Sequence, residues 1–329
     1  MNLPKFEYLS TASIPEAVRL LHKYGPAARL VAGGTDLFPR MKNRLIDPEI
    51  LINPSRLPIH EPAVNEDGGL ILDAFMTLTA VVSSPVIREK APLIAEAAYT
   101  VASNEIRNMG TLGGNLCQET RCLYYNQSHE FQFVKPCFKR GGSHCDFIPK
   151  GNMCWAVFMA DTAPALISLD AGVRITGPAN TRQISLEDLY SGDALRPITM
   201  GHDEIIAEVL IPGQPAGRGA AYSKFSLRGA LEFGALGIAV VLDTDDGGKT
   251  CLQARITVVA VSPAPLRAVK AESLLNGKEI SDTLFAKAAQ AAVEELQIIP
   301  HHGYSGYYLK KCMQVQMRRA LSTAVARIN

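Results

Sequence analysis

The chain has 329 residues, enough for about two domains. It is 47% hydrophobic and 20% charged with a net charge of +1, which offers no basic field for nucleic acid or an anionic membrane surface. No apolar run reaches the ~18–20 residues that span a bilayer, and Met1-Asn2-Leu3-Pro4-Lys5-Phe6 carries no signal-peptide core, so a cytoplasmic protein is expected.

The first half alternates helix and strand signals. Ser13-Ile14-Pro15-Glu16 is a capping box with proline in the first turn, Ala17, Val18, Leu20 and Leu21 form the apolar face, and Gly25-Pro26 ends the helix. A strand over Arg29 to Ala32 runs into Gly33-Gly34-Thr35-Asp36, and Leu37 to Lys42 resumes a helix. Ile50 to Ile52 and Leu70 to Ala74 read as strands, and Leu93 to Ser103 as a helix. Ala165 to Leu169 and Val173 to Thr176 read as strands about the turn Asp170-Ala171-Gly172. A turn-rich stretch follows, and a domain boundary is expected near Gly213–Gly219. Beyond it, Ala221 to Ser226, Leu236 to Leu242 and Leu252 to Val261 read as an antiparallel sheet, the last two joined by a hairpin turn at Asp243 to Gly248. Two helices, Ser281–Leu296 and Ser305–Ile328, close the chain.

Two segments carry phosphate-binding chemistry. Gly33-Gly34-Thr35-Asp36 lies between a strand and a helix, where paired glycines let backbone approach a diphosphate and N–H groups meet its oxygens. By itself it is equally a tight turn. Thr111-Leu112-Gly113-Gly114-Asn115 repeats the pattern, and two such loops can grip one diphosphate from opposite sides. Neither is the G-x-G-x-x-G of a Rossmann fold.

Four cysteines, Cys122, Cys137, Cys145 and Cys154, follow with fourteen, seven and eight residues between them. Cys117 stands at the entrance, and Cys251 and Cys312 lie elsewhere. In a reducing compartment clustered thiols bind metal rather than pair, and an odd total of seven cannot all pair. Four thiolates suit structural zinc or an iron–sulfur cubane; the spacing lacks the tight C-x2–4-C pairs of zinc sites but leaves both open. From Arg121 to Trp155 five basic residues (Arg121, Lys135, Lys139, Arg140, Lys150) face two acids (Glu130, Asp146), a balance that suits an anionic cluster. His144 is a candidate substitute ligand or a solvated loop residue, and Trp155 reads as packing for the loop end. No Ser/His/Asp or paired-carboxylate hydrolytic set stands out.

In order, Ala32-Gly33-Gly34-Thr35-Asp36-Leu37, then Ile106 to Leu116, then Asp161-Thr162-Ala163-Pro164-Ala165-Leu166 resemble the FAD-binding subunits of the molybdenum hydroxylases, the xanthine dehydrogenase and CO dehydrogenase group. The resemblance covers essentially the whole chain. The stretch Gly113 to Cys122 and then Tyr125-Asn126-Gln127-Ser128 resembles the 4-hydroxybenzoyl-CoA reductase branch, whose insertion holds a [4Fe-4S] cluster. The resemblance implies an α+β fold: a two-subdomain FAD domain over 1–216, interrupted by an iron–sulfur loop at 117–157, and a C-terminal domain over 217–329 of antiparallel sheet with helices. It implies FAD contacts at Val31, Ala32, Gly33, Gly34, Thr35, Asp36, Leu37, Thr77, Thr111, Gly114, Asn115, Leu116, Asp161 and Lys224, although Lys224 also reads as an ordinary strand lysine. It implies cluster ligation by Cys122, Cys137, Cys145 and Cys154, with Cys117 outside the set. It further implies an oxidoreductase subunit whose substrate reacts on a molybdopterin partner chain, a second partner with [2Fe-2S] clusters, a dimer of heterotrimers, and ferredoxin as donor. Two alternatives remain: the flavin subunit of an aldehyde or N-heterocycle hydroxylase, and a non-redox zinc-stapled binding module.

Overall fold

A computed structural model describes residues 2–127, 135–148, 150–229 and 231–328. Ser128 and Glu130, invoked above, lie outside the described residues. The N-terminal part holds two small layers. Three parallel strands, in the order Glu7–Ser10, Ile50–Asn53, Ala28–Leu30, pack against the helix Ile14–Tyr24. That helix starts as its sequence requires, with Ser13 Oγ accepting from the Glu16 N–H at 3.3 Å and Glu16 accepting from the Ala12 N–H at 3.0 Å. A second, antiparallel sheet runs in the order Ala63–Val64, Leu70–Asp73, Ile205–Ile211, Gly172–Thr176, Thr181–Ser185. Its central strand Ile205–Ile211 comes from the turn-rich stretch where no strand is expected.

Two readings need correction. Ala165 to Leu169 is not a strand: Ala165 to Ser168 belong to the helix Thr162–Ser168, every residue of which is buried, and Leu169 caps its end. Five residues with Ser168 as the one polar position are too short to show a period, so sequence cannot separate a short buried helix from a buried strand. The expected helix over Leu93 to Ser103 is shorter, Pro92–Tyr99, and a new helix, Asn104–Met109, starts at the Ser103 cap.

The C-terminal sheet, Leu266–Arg267, Thr250–Val259, Leu236–Thr244, Arg218–Phe225, is antiparallel throughout. Helices Val269–Leu275, Asp282–Glu295 and Gly306–Ala326 cover one face, where Ile238, Val240 and Leu242 join their core. Ala239 and Val241, one residue out of phase, point the other way, into the core of the N-terminal part. Strand Leu236–Thr244 is thus buried on both faces, which accounts for its continuous apolar sequence. Ser168 Oγ and Thr257 Oγ1, 2.8 Å apart, form a polar bond across the same junction.

His301, buried in the turn before the last helix, holds Ile299 O through Nδ1 at 2.8 Å. Burial, its largest influence, pushes its pKa below the usual 6.5. The unfolded chain therefore binds a proton near pH 6.5 that the folded chain refuses, so stability falls as pH drops through 6.5. Thermal unfolding should be lower at pH 5.5 than at pH 7.5, and the gap should shrink in His301→Gln. An unchanged gap would remove His301 from this dependence.

Candidate functional site

Two cavities lie on either side of the segment 117–122. The larger, of about 370 Å³, is walled by the two glycine loops. The run 31–37 and Thr111, Gly114 and Asn115 all line it. The first loop turns through Gly34, whose φ of +69° favours glycine, and Phe38 N–H caps back to Gly34 O at 2.9 Å. Gly33 makes a closer demand: a Cβ there would overlap the Met109 carbonyl and lie 3.0 Å from Gly110 Cα. Glycine at 33 therefore lets one loop touch the other, not only a ligand.

The second loop is held by the neighbouring backbone. Leu112 N–H donates to Met76 O at 2.9 Å and Gly113 N–H to Ala74 O at 2.7 Å. Thr111 Oγ1 accepts from the Gly114 N–H at 3.1 Å, and Asn115 Oδ1 accepts from Thr162 Oγ1 at 2.6 Å. The three motifs read in order along the chain are thus tied together in space.

Four residues expected at the cofactor do not line this cavity. Thr77 caps the helix Leu78–Ser83 and bridges Thr111. Leu116 is fully buried, and its carbonyl accepts from Tyr190 at 3.2 Å. Asp161 and Lys224 pair with each other at 2.9 Å with side chains 6% and 9% exposed, so Lys224 is no surface lysine. Lys224 Nζ also donates to Thr100 O at 2.8 Å, and Tyr222 O–H to Asp161 at 2.7 Å. Burial, the largest influence, pushes the Asp161 carboxyl above its usual range, against the pull of Lys224 and Tyr222.

The smaller cavity is lined by Cys122, Cys137, Cys145 and Cys154 together. The fifth thiol, Cys117, lines the large cavity instead, and burial pushes it up to about 12. Burial, followed by repulsion from Cys145 and Cys154, pushes Cys122 up to about 11. Among the described residues no three His, Cys, Asp or Glu side chains are grouped to hold a single metal ion. Structural zinc and an iron–sulfur cubane each take four thiolates. The all-sulfur donor set of this cavity fits either group. His144 pairs with Asp146 at 3.2 Å beside the cavity. Trp155 packs the loop end against Val157, Met159, Ala260 and Ile299, as expected.

The connecting segment is short. From Cys117 to Cys122 the chain advances five residues, at most about 18 Å when extended. Arg121 is bonded to Val157 by both backbone groups at 2.8 and 2.7 Å, which fixes the crossing. Ion pairs brace it: Arg121 to Asp36, Arg40 to Glu119 at 3.0 Å, and Lys139 to Glu119 at 2.9 Å. Lys139 is 6% exposed and also bonds Thr120 Oγ1 at 2.5 Å. The loop's basic excess is therefore spent partly inside the protein. Lys135 and Lys150 are its exposed cations among the described residues. Arg29, Arg40, Gln118, Arg121 and Phe233 line the large cavity without having been expected there. Arg121 was visible only as a charge beside Cys122, and Phe233 carries no local signal.

Residues 4–214 match the model of the FAD binding domain in molybdopterin dehydrogenase, and residues 220–324 that of the CO dehydrogenase flavoprotein C-terminal domain. The 6-hydroxypseudooxynicotine dehydrogenase complex subunit alpha of Paenarthrobacter nicotinovorans is 29% identical, over 99% of this chain and 97% of its own. The carbon monoxide dehydrogenase medium chain of Hydrogenophaga pseudoflava is 31% identical over 98% of each. A chain of the solved carbon monoxide dehydrogenase from that organism superposes with a TM-score of 0.82 at 28% identity, covering 100% of both. The α+β architecture, the glycine loops and these matches agree: the chain belongs to the FAD-binding subunits of the molybdopterin dehydrogenases, and is an oxidoreductase subunit.

Proposed function

We propose that this chain is the flavin and [4Fe-4S] subunit of a molybdenum-containing aryl-CoA reductase of the 4-hydroxybenzoyl-CoA type. FAD occupies the large cavity, with Val31 to Leu37, Thr111, Gly114 and Asn115 as contacts, and Cys122, Cys137, Cys145 and Cys154 hold the cluster. The FAD domain spans 1–216 and the C-terminal domain 217–329. When bound, the flavin would hold two electrons and pass them singly to or from one-electron iron–sulfur centres. This chain's residues hold the two sites a few residues apart and brace the crossing with ion pairs. Partner chains carry [2Fe-2S] clusters and the molybdopterin cofactor, in a dimer of heterotrimers, and ferredoxin is the donor.

The observation that carries the reading is the convergence of four thiols on one cavity while the fifth faces the other. A second reading, the flavin subunit of an oxidising hydroxylase, is favoured by the dehydrogenase names of both relatives above. The experiment is a visible spectrum with iron and sulfide analysis of protein purified without oxygen. Flavin plus an iron–sulfur shoulder is expected. Cys137→Ser should lose iron and sulfide, and Cys117→Ser should keep both. Zinc in place of iron, or iron that survives Cys137→Ser but not Cys117→Ser, would sink the ligand assignment.

A further inference from the structure

Three buried polar atoms on one wall of the large cavity, Gln118 Oε1, Arg40 Nε and Arg121 Nε, lack a hydrogen-bond partner among the described residues. Buried groups of this kind are nearly always satisfied, so three unpaired atoms on residues that line one cavity point to a ligand there. Gln118 is 8% exposed. The two guanidinium groups are held from behind, Arg121 by Asp36 and Arg40 by Glu119, and Arg121 also lies over the Phe233 ring at 4.7 Å. Asp36 ends the first glycine loop, so this wall adjoins the backbone that approaches phosphate.

Charge points the same way. Among the charged residues that line the cavity, Arg29, Arg40 and Arg121 stand against Asp36 and Glu204, three cations to two anions. Arg29 records the excess: burial and then repulsion from Arg40 lower its pKa. A diphosphate diester, ionised at each phosphate, is an anion that this excess attracts, and Arg suits phosphate through directed N–H donors.

We propose that Arg40 and Arg121 donate through Nε to the diphosphate of bound FAD, and that Gln118 Oε1 accepts from an adjoining cofactor hydroxyl. The inference rests on the large cavity being the flavin site. It adds side-chain recognition to what the glycine loops supply through backbone.

The test is titration of the full-length apoprotein with FAD, followed by flavin fluorescence, and with ADP as competitor. Arg40→Gln leaves Asp36 with Arg121 and Glu119 with Lys139, so both carboxylates stay paired. It should weaken FAD and ADP alike by about tenfold to a hundredfold, the scale of one hydrogen bond to a charged group. The loss should shrink as salt rises. Gln118→Leu separates the proposal from mere packing. It removes an unsatisfied acceptor from the apoprotein, so apoprotein melting should hold or rise while FAD affinity falls. Wild-type FAD affinity in both variants would overturn the proposal, and so would FAD weakening with ADP unchanged. Failure of the wild-type chain itself to bind FAD would instead overturn the assignment of the cavity.

Discussion

Gly33→Val should yield folded protein without flavin. The added side chain meets the Met109 carbonyl and Gly110 before it meets any ligand. Backbone atoms of a braced loop cannot swing aside as a flexible side chain can. The second loop is pinned to Met76 and Ala74 by bonds of 2.9 and 2.7 Å, so the first must retreat. Overpacking of this kind costs about 1–3 kcal/mol, which a domain survives, but the cavity between the loops opens and loses its shape. Flavin absorbance per mole of purified protein is the measurement. Full occupancy in the folded variant would show that loop contact is dispensable for the cradle.

Asp161→Ala should be the most destabilising single change. It leaves the Lys224 ammonium buried at the junction of the C-terminal sheet and the N-terminal part, with only carbonyl acceptors at 2.8 and 3.1 Å. Removing one partner of a buried pair costs about 3–5 kcal/mol. Both side chains are under a tenth exposed, so solvent screens little of this. Melting should fall by roughly 10 °C, at about 2–4 °C per kcal/mol for a domain of this size. Burial already holds Asp161 above its usual range, a sign that desolvation opposes the pair. The double change Asp161→Leu with Lys224→Met should therefore recover most of the loss. If the double variant melts as low as Asp161→Ala, the pair is more than a neutralised charge. Flavin retention in the double variant then asks separately whether Lys224 touches the cofactor.

Much of this protein is local, and local features are legible. The helix Leu37–Lys42 follows the glycine turn where expected, and the capped helices Ile14–Tyr24, Asp282–Glu295 and Gly306–Ala326 lie within a residue or two of their sequence signals. Caps, turns and glycine pairs act over three or four residues, and an ordered string of them carries the family resemblance.

What needed the tertiary structure is whatever depends on distant chain. Apolar runs such as Ala165 to Leu169 do not declare their geometry, because burial on all sides erases the period. The strand Ile205–Ile211 forms because Leu70–Asp73 and Gly172–Thr176 flank it, not because of its own turn-rich neighbourhood. Charge is harder still. Sequence counts Lys139 as a basic loop residue, yet a carboxylate twenty positions earlier takes it inside. Lys224 pairs with Asp161 across sixty-three positions and Arg121 with Asp36 across eighty-five, so each turns from a free charge into a brace. The sequence by itself determined the family, the two glycine loops and the candidate thiols. Only the folded chain decided that four thiols share one cavity, that Cys117 belongs to the other, and that Arg40, Arg121 and Gln118 help wall the larger one. Those facts rest on which surfaces pack together, and packing is a property of pairs of segments that no single segment encodes.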